Sequence, residues 1–273
     1  DYFDPLAPNW DREVTPERLE CLSNIIKKLD IKLGSHVLDI GSGTGILLPF
    51  LIEAVGGEGR IIALDLSAKM LHEAKAKGFQ SIVDFVQADA AAIPLPHNCI
   101  DLAICNSVFP HFNNKAKALK EIARVLKSNG QLVICHTASR EAINQLHQSI
   151  GGMVGADLLP DETELRELIR QVGLTVTSLE DNPKRYLVIA RKATANPAII
   201  AVTRARKIKF PRLTVSILPQ NKFKASVLEP GIMPMKRNAS PSIKEKTMPI
   251  EVSGLSSPRS AMGPIIAAEA RLK

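Results

Sequence analysis

The sequence predicts an α/β protein built on a seven-stranded, mostly parallel sheet with helices on both faces. Three observations predict it. Short apolar runs alternate with stretches of helical period along residues 36–172, the pattern of successive βαβ units with right-handed crossovers. The first run ends in an acid and three close glycines, Asp39-Ile-Gly-Ser-Gly-Thr-Gly45, where a turn bares its backbone at the carboxyl end of a strand. Two later runs are separated by Asp181-Asn182-Pro183, so they should form a hairpin that adds one antiparallel strand.

The elements follow in order. Thr15-Pro16-Glu17 reads as a helix start, with Thr as N-cap and Pro in the first turn; this helix runs to about Leu29, before Gly34. Strand β1 is expected over His36–Ile40, then a helix from about Thr44 to Val55, closed by Gly56-Gly57. Strand β2 covers Arg60–Asp65, and Ser67 caps a helix that ends near Gly78. Strand β3 covers Ile82–Gln87 and β4 covers Ile100–Cys105. Lys115–Leu126 is amphipathic, with Ala118, Ile122 and Val125 on one face, and Ser128-Asn129-Gly130 should stop it. Strand β5 is Gln131–Cys135, with helices near Arg140–Gln148 and Thr163–Val172 to follow. Strands β6 (Leu174–Leu179) and β7 (Arg185–Arg191) end the ordered body.

Composition bounds the function. The 273 residues are 45% hydrophobic, enough for a sizeable core. The net charge of +7 is unevenly spread. Residues 1–192 hold 21 basic and 24 acidic side chains, whereas residues 193–273 hold 14 and 4. An acidic body is not the expected partner of nucleic acid. The four cysteines form no CxxC pair and read as buried free thiols in a reducing compartment. No leader-like segment opens the chain, and no apolar run approaches the roughly 18 residues of a membrane span, so a cytoplasmic location is expected. Residues 193–273 carry nine of the eighteen prolines and no sustained period. They read as a basic, Pro-rich tail, either disordered or foreign to the fold. A native tail of this charge would suit an anionic membrane or nucleic acid.

In open α/β sheets the ligand lies beyond the carboxyl ends of the strands. Those ends read Asp39-Ile-Gly41, Asp65-Leu66-Ser67 and Cys105-Asn106-Ser107. The glycine loop suits an anion, because the following helix points its amides back at it. It is not a P-loop, since GxxxxGK[ST] is missing. A dinucleotide fingerprint would place its third glycine at position 46, where Ile stands; here that glycine is Gly45. Asp65 lies about 20 residues past the loop, where a carboxylate can accept both hydroxyls of an adenosine ribose. Asp89, in Gln87-Ala-Asp-Ala90, is within reach of an adenine amino group. Each acid alone could be a turn or cap acid; three at successive strand ends are more specific together.

With these motifs in hand, the sequence resembles the class I S-adenosylmethionine-dependent methyltransferases, especially the group that includes the ubiquinone/menaquinone C-methyltransferases. The resemblance rests on VLDIGSGTG, ALDLSAKML, VQADAAAIPLP, DLAICNSVFPHF and ALKEIARVLKSNGQLVI, in that order, and covers about residues 1–192. It implies a Rossmann-like sheet of order 3-2-1-4-5-7-6 with β7 antiparallel, and S-adenosyl-L-methionine as cofactor. It implies that Gly41, Ser42, Gly43 and Gly45 admit the methionine part of the cofactor, with Asp39 near its ammonium group. Asp65 and Leu66 would serve the ribose, Asp89 and Ala90 the adenine, and Asn106 the region of the reacting methyl. Residues 34–192 would be the cofactor-binding domain. Residues 1–33 would be a lid and helix, with Tyr2 and Trp10 in an aromatic segment over the site.

A sulfonium methyl is already activated, so the enzyme must align the acceptor and exclude water. A general base is needed when the acceptor carries a proton. His111, in Val108-Phe-Pro-His-Phe112, is the candidate; the alternative is a histidine that orders its loop or touches substrate. His136 and His147 are candidates for a polar wall of the acceptor pocket. Three histidines without a carboxylate partner make no metal site, and none is expected. Met153–Asp157, after Gly151-Gly152, resembles a flexible cap over the site. Asn106-Ser-Val-Phe109 departs from the Asn/Asp-Pro-Pro-aromatic run of enzymes that methylate base or glutamine nitrogens, and no Pro-Cys nucleophile occurs. A small-molecule acceptor, aromatic or lipid-like, is therefore expected. The alternatives are an NAD(P)-dependent Rossmann-like oxidoreductase and a catalytically silent cofactor-binding regulator.

Overall fold

The computed structural model describes residues 2–79 and 81–194. The basic, Pro-rich tail expected from residue 193 lies almost wholly outside the described residues. The described chain forms one seven-stranded sheet of order β3-β2-β1-β4-β5-β7-β6. Its strands are β1 (His36–Ile40), β2 (Arg60–Asp65), β3 (Val83–Gln87), β4 (Ile100–Asn106), β5 (Leu126–His136), β6 (Leu174–Asn182) and β7 (Arg185–Lys192). The first five pair in parallel, and β7 runs antiparallel to both β5 and β6.

Strands β1, β2 and β4 are buried along almost their whole length. That burial is why they read as continuous apolar runs, since a parallel sheet covered on both faces has no solvent side. One face packs Val37, Ile61, Ala63 and Ile104 against Leu22, Ile25, Leu48 and Leu51 of α1 (Pro16–Lys28) and α2 (Leu48–Val55). The alternating residues Leu38, Ile40, Ile62 and Leu64 are just as buried. The remaining helices are α3 (Ala68–Ala76), α4 (Lys115–Val125), α5 (Arg140–Ile150) and α6 (Glu162–Gln171). Their amphipathic faces bury Ala118, Leu119, Ile122, Ile143, Leu146, Leu165 and Ile169.

Side-chain caps fix the helix starts. Ser67 accepts from the Met70 amide, Asn114 from Lys117, Ser139 from Ala142 and Asp161 from Glu164, each bond satisfying an otherwise orphaned first-turn donor. Thr15 does the same for α1 through the Arg18 amide.

Four boundaries differ from expectation, each for a local reason. The helix expected from Thr44 starts at Leu48, because Gly45 sits at φ +83 and Pro49 occupies the first turn. Ser128-Asn129-Gly130 does not end a helix; α4 stops at Val125, and these residues lie inside β5. There Asn129 is at φ +64, and the pairing register between β4 and β5 shifts nearby, as at a bulge. Strand β6 runs on through Asp181 and Asn182, so the hairpin turns at Pro183-Lys184, held by Asn182 Oδ1 accepting from the Lys184 and Arg185 amides. Residues Ala7–Glu13 and Phe109–His111 form 3-10 turns that periodicity does not reveal. Among the described residues, no helix is long and apolar enough to cross a membrane.

Candidate active site

The carboxyl ends of β1, β2 and β4 meet in one pocket, closed on one side by the segment before α1. Of the residues singled out from sequence, the wall includes Trp10, Asp39, Gly41, Ser42, Gly43, Asp65, Leu66, Asp89, Ala90, Asn106 and His111. Gly45, Tyr2, His136 and His147 lie off that wall. Phe3, Val14, Arg18, Met70 and Phe112 also line it. Phe3 and Phe112 belong to the aromatic segment and the Val108–Phe112 stretch read from sequence, whereas Val14, Arg18 and Met70 carry no signal of their own.

The glycine loop is shaped by close approach. Gly41 sits at φ +65, and a Cβ there would lie 2.2 Å from Val108 Cγ2. Its amide donates to the Leu64 carbonyl at 2.7 Å, which ties the end of β1 to β2. Gly45, expected to admit the cofactor, sits at φ +83 with a packing role of its own. A Cβ at Gly45 would lie 2.7 Å from Leu48 Cδ1 and 3.4 Å from Ala74 Cβ, so this glycine lets α2 and α3 close behind the loop.

Three acids face the pocket in different electrostatic states. Asp39 is fully buried, and its Oδ2 has no hydrogen-bond partner among the described residues. Burial, reinforced by the Asp65 charge, pushes its carboxyl up to about 8. Asp65 accepts from the Gly43 amide at Oδ2 and the Ser67 amide at Oδ1, both at 2.8 Å. Burial raises its carboxyl too, against the pull of those amides and that of Leu66. A carboxylate offers about four acceptor positions, so each oxygen of Asp65 can take a further donor. Asp89 accepts from the Ala91 amide at 2.8 Å. Asn106, the last residue of β4, accepts at Oδ1 from the Cys135 thiol at 3.7 Å.

The N-terminal segment is fastened across this pocket. Asp4 Oδ1 accepts from the Ser67 hydroxyl, and Asp11 Oδ1 accepts from the Thr44 hydroxyl, both at 2.5 Å. Lys77 bridges Asp11 at 2.6 Å and donates to the Thr44 carbonyl at 2.6 Å. Tyr2 packs edge-on against Phe3, and Phe3 packs edge-on against both Trp10 and His111. Tyr2 thus reaches the site through Phe3.

His111, in the 3-10 turn after β4, lines the wall and also reaches the segment after α5. Its Nδ1 lies 2.9 Å from Asp157 Oδ2, and its centroid lies 4.9 Å from that of His147. Burial lowers the His111 pKa, the bond to Asp157 raises it, and the His147 charge lowers it. His147 bonds the Asp157 carbonyl through Nδ1. His136 is buried beside Tyr186, 6.3 Å between rings, and neither of its nitrogens nor the Tyr186 hydroxyl has a partner within the structure. Burial pushes His136 down to about 3 and Tyr186 up to about 12, so both are neutral at ordinary pH. Asp157 was expected only as the end of a cap over the site, not as a partner of His111. Nothing in a sequence pairs two positions 46 apart. Among the described residues, no group of three or more His, Cys, Asp or Glu is arranged to hold a metal ion.

Comparison with known proteins agrees with this architecture. Residues 38–134 match a family described as "Methyltransferase domain". The chain is 34% identical over 175 residues to a "Ubiquinone/menaquinone biosynthesis C-methyltransferase UbiE" of Hahella chejuensis, covering 55% of this chain and 70% of that protein. Against the protein of the same name from Francisella philomiragia, it is 34% identical over 113 residues, 40% of this chain and only 45% of that protein. Among solved structures, a SAM-dependent methyltransferase from Aquifex aeolicus superposes with TM-score 0.55 at 26% identity, covering 65% of this chain and 93% of that one. A Haloferax volcanii methyltransferase in complex with the Trm112 activator superposes with TM-score 0.62 at 21% identity, over 71% of this chain and 98% of that one, which supports the fold. These matches favour methyl transfer over nicotinamide chemistry.

Proposed function

The chain belongs to the class I S-adenosylmethionine-dependent methyltransferases, in the group of the ubiquinone/menaquinone C-methyltransferases, and from that membership we propose that its acceptor is a small hydroxylated ring, methylated at carbon. The proposal follows the names of the relatives and the presence of His111 in the same pocket as the three acids. We read residues 34–192 as the cofactor-binding domain and residues 1–33 as its lid.

The residues fit the cofactor, and the observation that carries the fit is the buried Asp39 carboxyl. Its Oδ2 is without a hydrogen bond. A buried charge with no counter-charge is costly, and an ammonium group arriving beside the glycine loop supplies one. Asp65, already oriented by two amides, has acceptor positions left for a pair of ribose hydroxyls. Asp89 and Ala90 line the far side, where the adenine would rest.

When bound, S-adenosylmethionine supplies an electrophilic sulfonium methyl whose bond to sulfur breaks as the acceptor attacks. The chain's own work is alignment, exclusion of water and movement of one proton. Phe3, Trp10 and Phe112 make an apolar wall that keeps water out. A phenolic ring becomes a strong carbon nucleophile when it loses its hydroxyl proton. His111 Nε2 is the atom that takes it, since Nδ1 is engaged by Asp157. The ring proton at the methylated carbon is then lost to solvent, and the ring oxygen takes back the proton held by His111, which restores the aromatic hydroxyl and the neutral imidazole.

Calorimetric titration of the full chain with S-adenosylhomocysteine, and separately with NADH, tests the cofactor assignments. Wild type is expected to bind the first and not the second. Asp65→Ala removes a charged acceptor that orders the Gly43 and Ser67 amides. Hydrogen bonds to a charged group contribute about 1.5–3 kcal/mol, so affinity should fall by about 10- to 100-fold. Unchanged affinity in Asp65→Ala would remove this residue from the site.

A further inference from the structure

The segment between α5 and α6, expected as a flexible cap, is well fastened. It is held on both sides of Asp157. On the near side, the Gly155 amide donates to the Gly151 carbonyl at 3.0 Å and the Asp157 amide donates to the Val154 carbonyl at 2.9 Å, with Val154 buried. On the far side, Leu159 is buried, and the Asn144 side chain clasps it twice. Asn144 Nδ2 donates to the Leu159 carbonyl at 3.0 Å, and Asn144 Oδ1 accepts from the Leu159 amide at 2.8 Å. His147 bonds the carbonyl of Asp157 itself. Asn144 and His147 lie one turn apart on α5, so one helix face grips the strap at two points. The strap then projects the Asp157 carboxylate, which meets His111 Nδ1 at 2.9 Å.

We propose that Asp157 is the positioning residue for His111: it holds the imidazole with Nδ1–H toward the strap and leaves Nε2 as the proton acceptor facing the pocket, while His147 locks the Asp157 main chain. This inference rests on the reading of His111 as the proton acceptor. A neutral imidazole has two tautomers, and the partner of one nitrogen decides what the other can do. A carboxylate at Nδ1 selects the tautomer with a bare Nε2, and it stabilises the imidazolium formed when the acceptor's hydroxyl proton arrives. The O–H bond breaks, its electron pair stays on the acceptor, and the proton goes to Nε2. No oxidant or second reactant is involved.

The groups facing His111 oppose one another. Asp157 raises its pKa, whereas burial, His147 and Lys115 lower it. His136 also lies within electrostatic reach. Phe3 covers one edge of the ring without charge. Without Asp157, His111 would keep only the influences that disfavour the imidazolium, and its ring would be free to turn.

The test is a histidine-selective nitrogen-15 NMR titration of the full chain, with the His111 signal assigned by its loss in His111→Gln. Wild type is expected to show the Nδ1–H tautomer at His111. Asp157→Asn should lower the His111 midpoint and mix the tautomers, and Asp157→Glu should restore part of both. S-adenosylhomocysteine affinity should stay within about twofold of wild type in both Asp157 variants, because Asp157 lies off the cofactor wall. With a short-chain naphthohydroquinone as acceptor, Asp157→Asn should lower kcat by about 10- to 100-fold with little change in KM, the scale of a general-base contribution partly lost. An Nε2–H tautomer in wild type overturns the proposal even if no variant folds. So does an unmoved His111 midpoint in Asp157→Asn. A correct tautomer with no turnover of the hydroquinone instead counts against the acceptor assignment and leaves the pair intact.

Discussion

Gly41→Ala is expected to destabilise the protein by about 2–5 kcal/mol and to abolish measurable cofactor binding. Two effects combine at this position. The backbone is at φ +65, where an L side chain costs about 1–2 kcal/mol. The added methyl would also lie 2.2 Å from Val108 Cγ2, so either the segment just after β4 or the glycine loop must move, a change that typically costs about 1–3 kcal/mol in a packed site. Both sides of that contact line the pocket, so relief of the clash deforms the binding wall. The two effects can be separated. Gly78 has φ +86 with open space around it, so Gly78→Ala should carry only the backbone cost. Adding Val108→Ala to Gly41→Ala should recover part of the stability, as expected for residues in direct contact. Chemical denaturation of wild type and these three variants checks this. Equal losses in Gly41→Ala and Gly78→Ala would mean that the Val108 contact does not matter.

Asp39 should make both stability and cofactor affinity depend on pH, in opposite senses. Its folded carboxyl is raised to about 8, far above the unfolded value. Such a group favours the fold fully below its unfolded pKa, and that contribution is lost as pH rises through the folded pKa. Between about pH 4 and pH 8, the free protein should lose about 1.4 kcal/mol per pH unit from this residue alone. Asp39→Asn removes the slope, so thermal melts of wild type and variant should diverge as pH rises. A bound ammonium reverses the preference, because it pairs with the ionised form. Wild-type affinity for S-adenosylhomocysteine should therefore rise with pH up to about 8, by as much as about tenfold per unit. Saturating ligand should flatten the stability slope. Parallel melting curves for wild type and Asp39→Asn would show that Asp39 does not titrate in this range.

Most of the sheet was legible because burial writes it into the sequence. Strands β1 and β2 match their expected bounds because both faces are covered and apolar runs stop where the strands stop. The sheet order implied by the family resemblance is the order observed. Residues that shape the chain by contact rather than pattern were less legible. The close approach of Leu48 and Ala74 to Gly45 has no sequence pattern. Ser128-Asn129-Gly130 has turn chemistry, yet pairing with β4 draws it into β5 as a bulge. The 3-10 turn over Ala7–Glu13 takes its place from Asp4, Asp11 and Trp10 meeting the loops, all at long range. The strand-end acids carried a spacing signal. The Asp157 partner of His111 carried none, because the approach of the strap to β4 is a tertiary event.

The most direct measurement is methyl transfer itself. The full chain would be incubated without oxygen with S-adenosylmethionine bearing a deuterated methyl and a short-chain naphthohydroquinone, and the product analysed by mass spectrometry and proton NMR. The expected result is deuterated methyl on a ring carbon, with the yield lost in His111→Ala although that variant still binds S-adenosylhomocysteine. Label on a hydroxyl oxygen, no label on the hydroquinone, or undiminished transfer by His111→Ala would contradict ring-carbon methylation driven by His111.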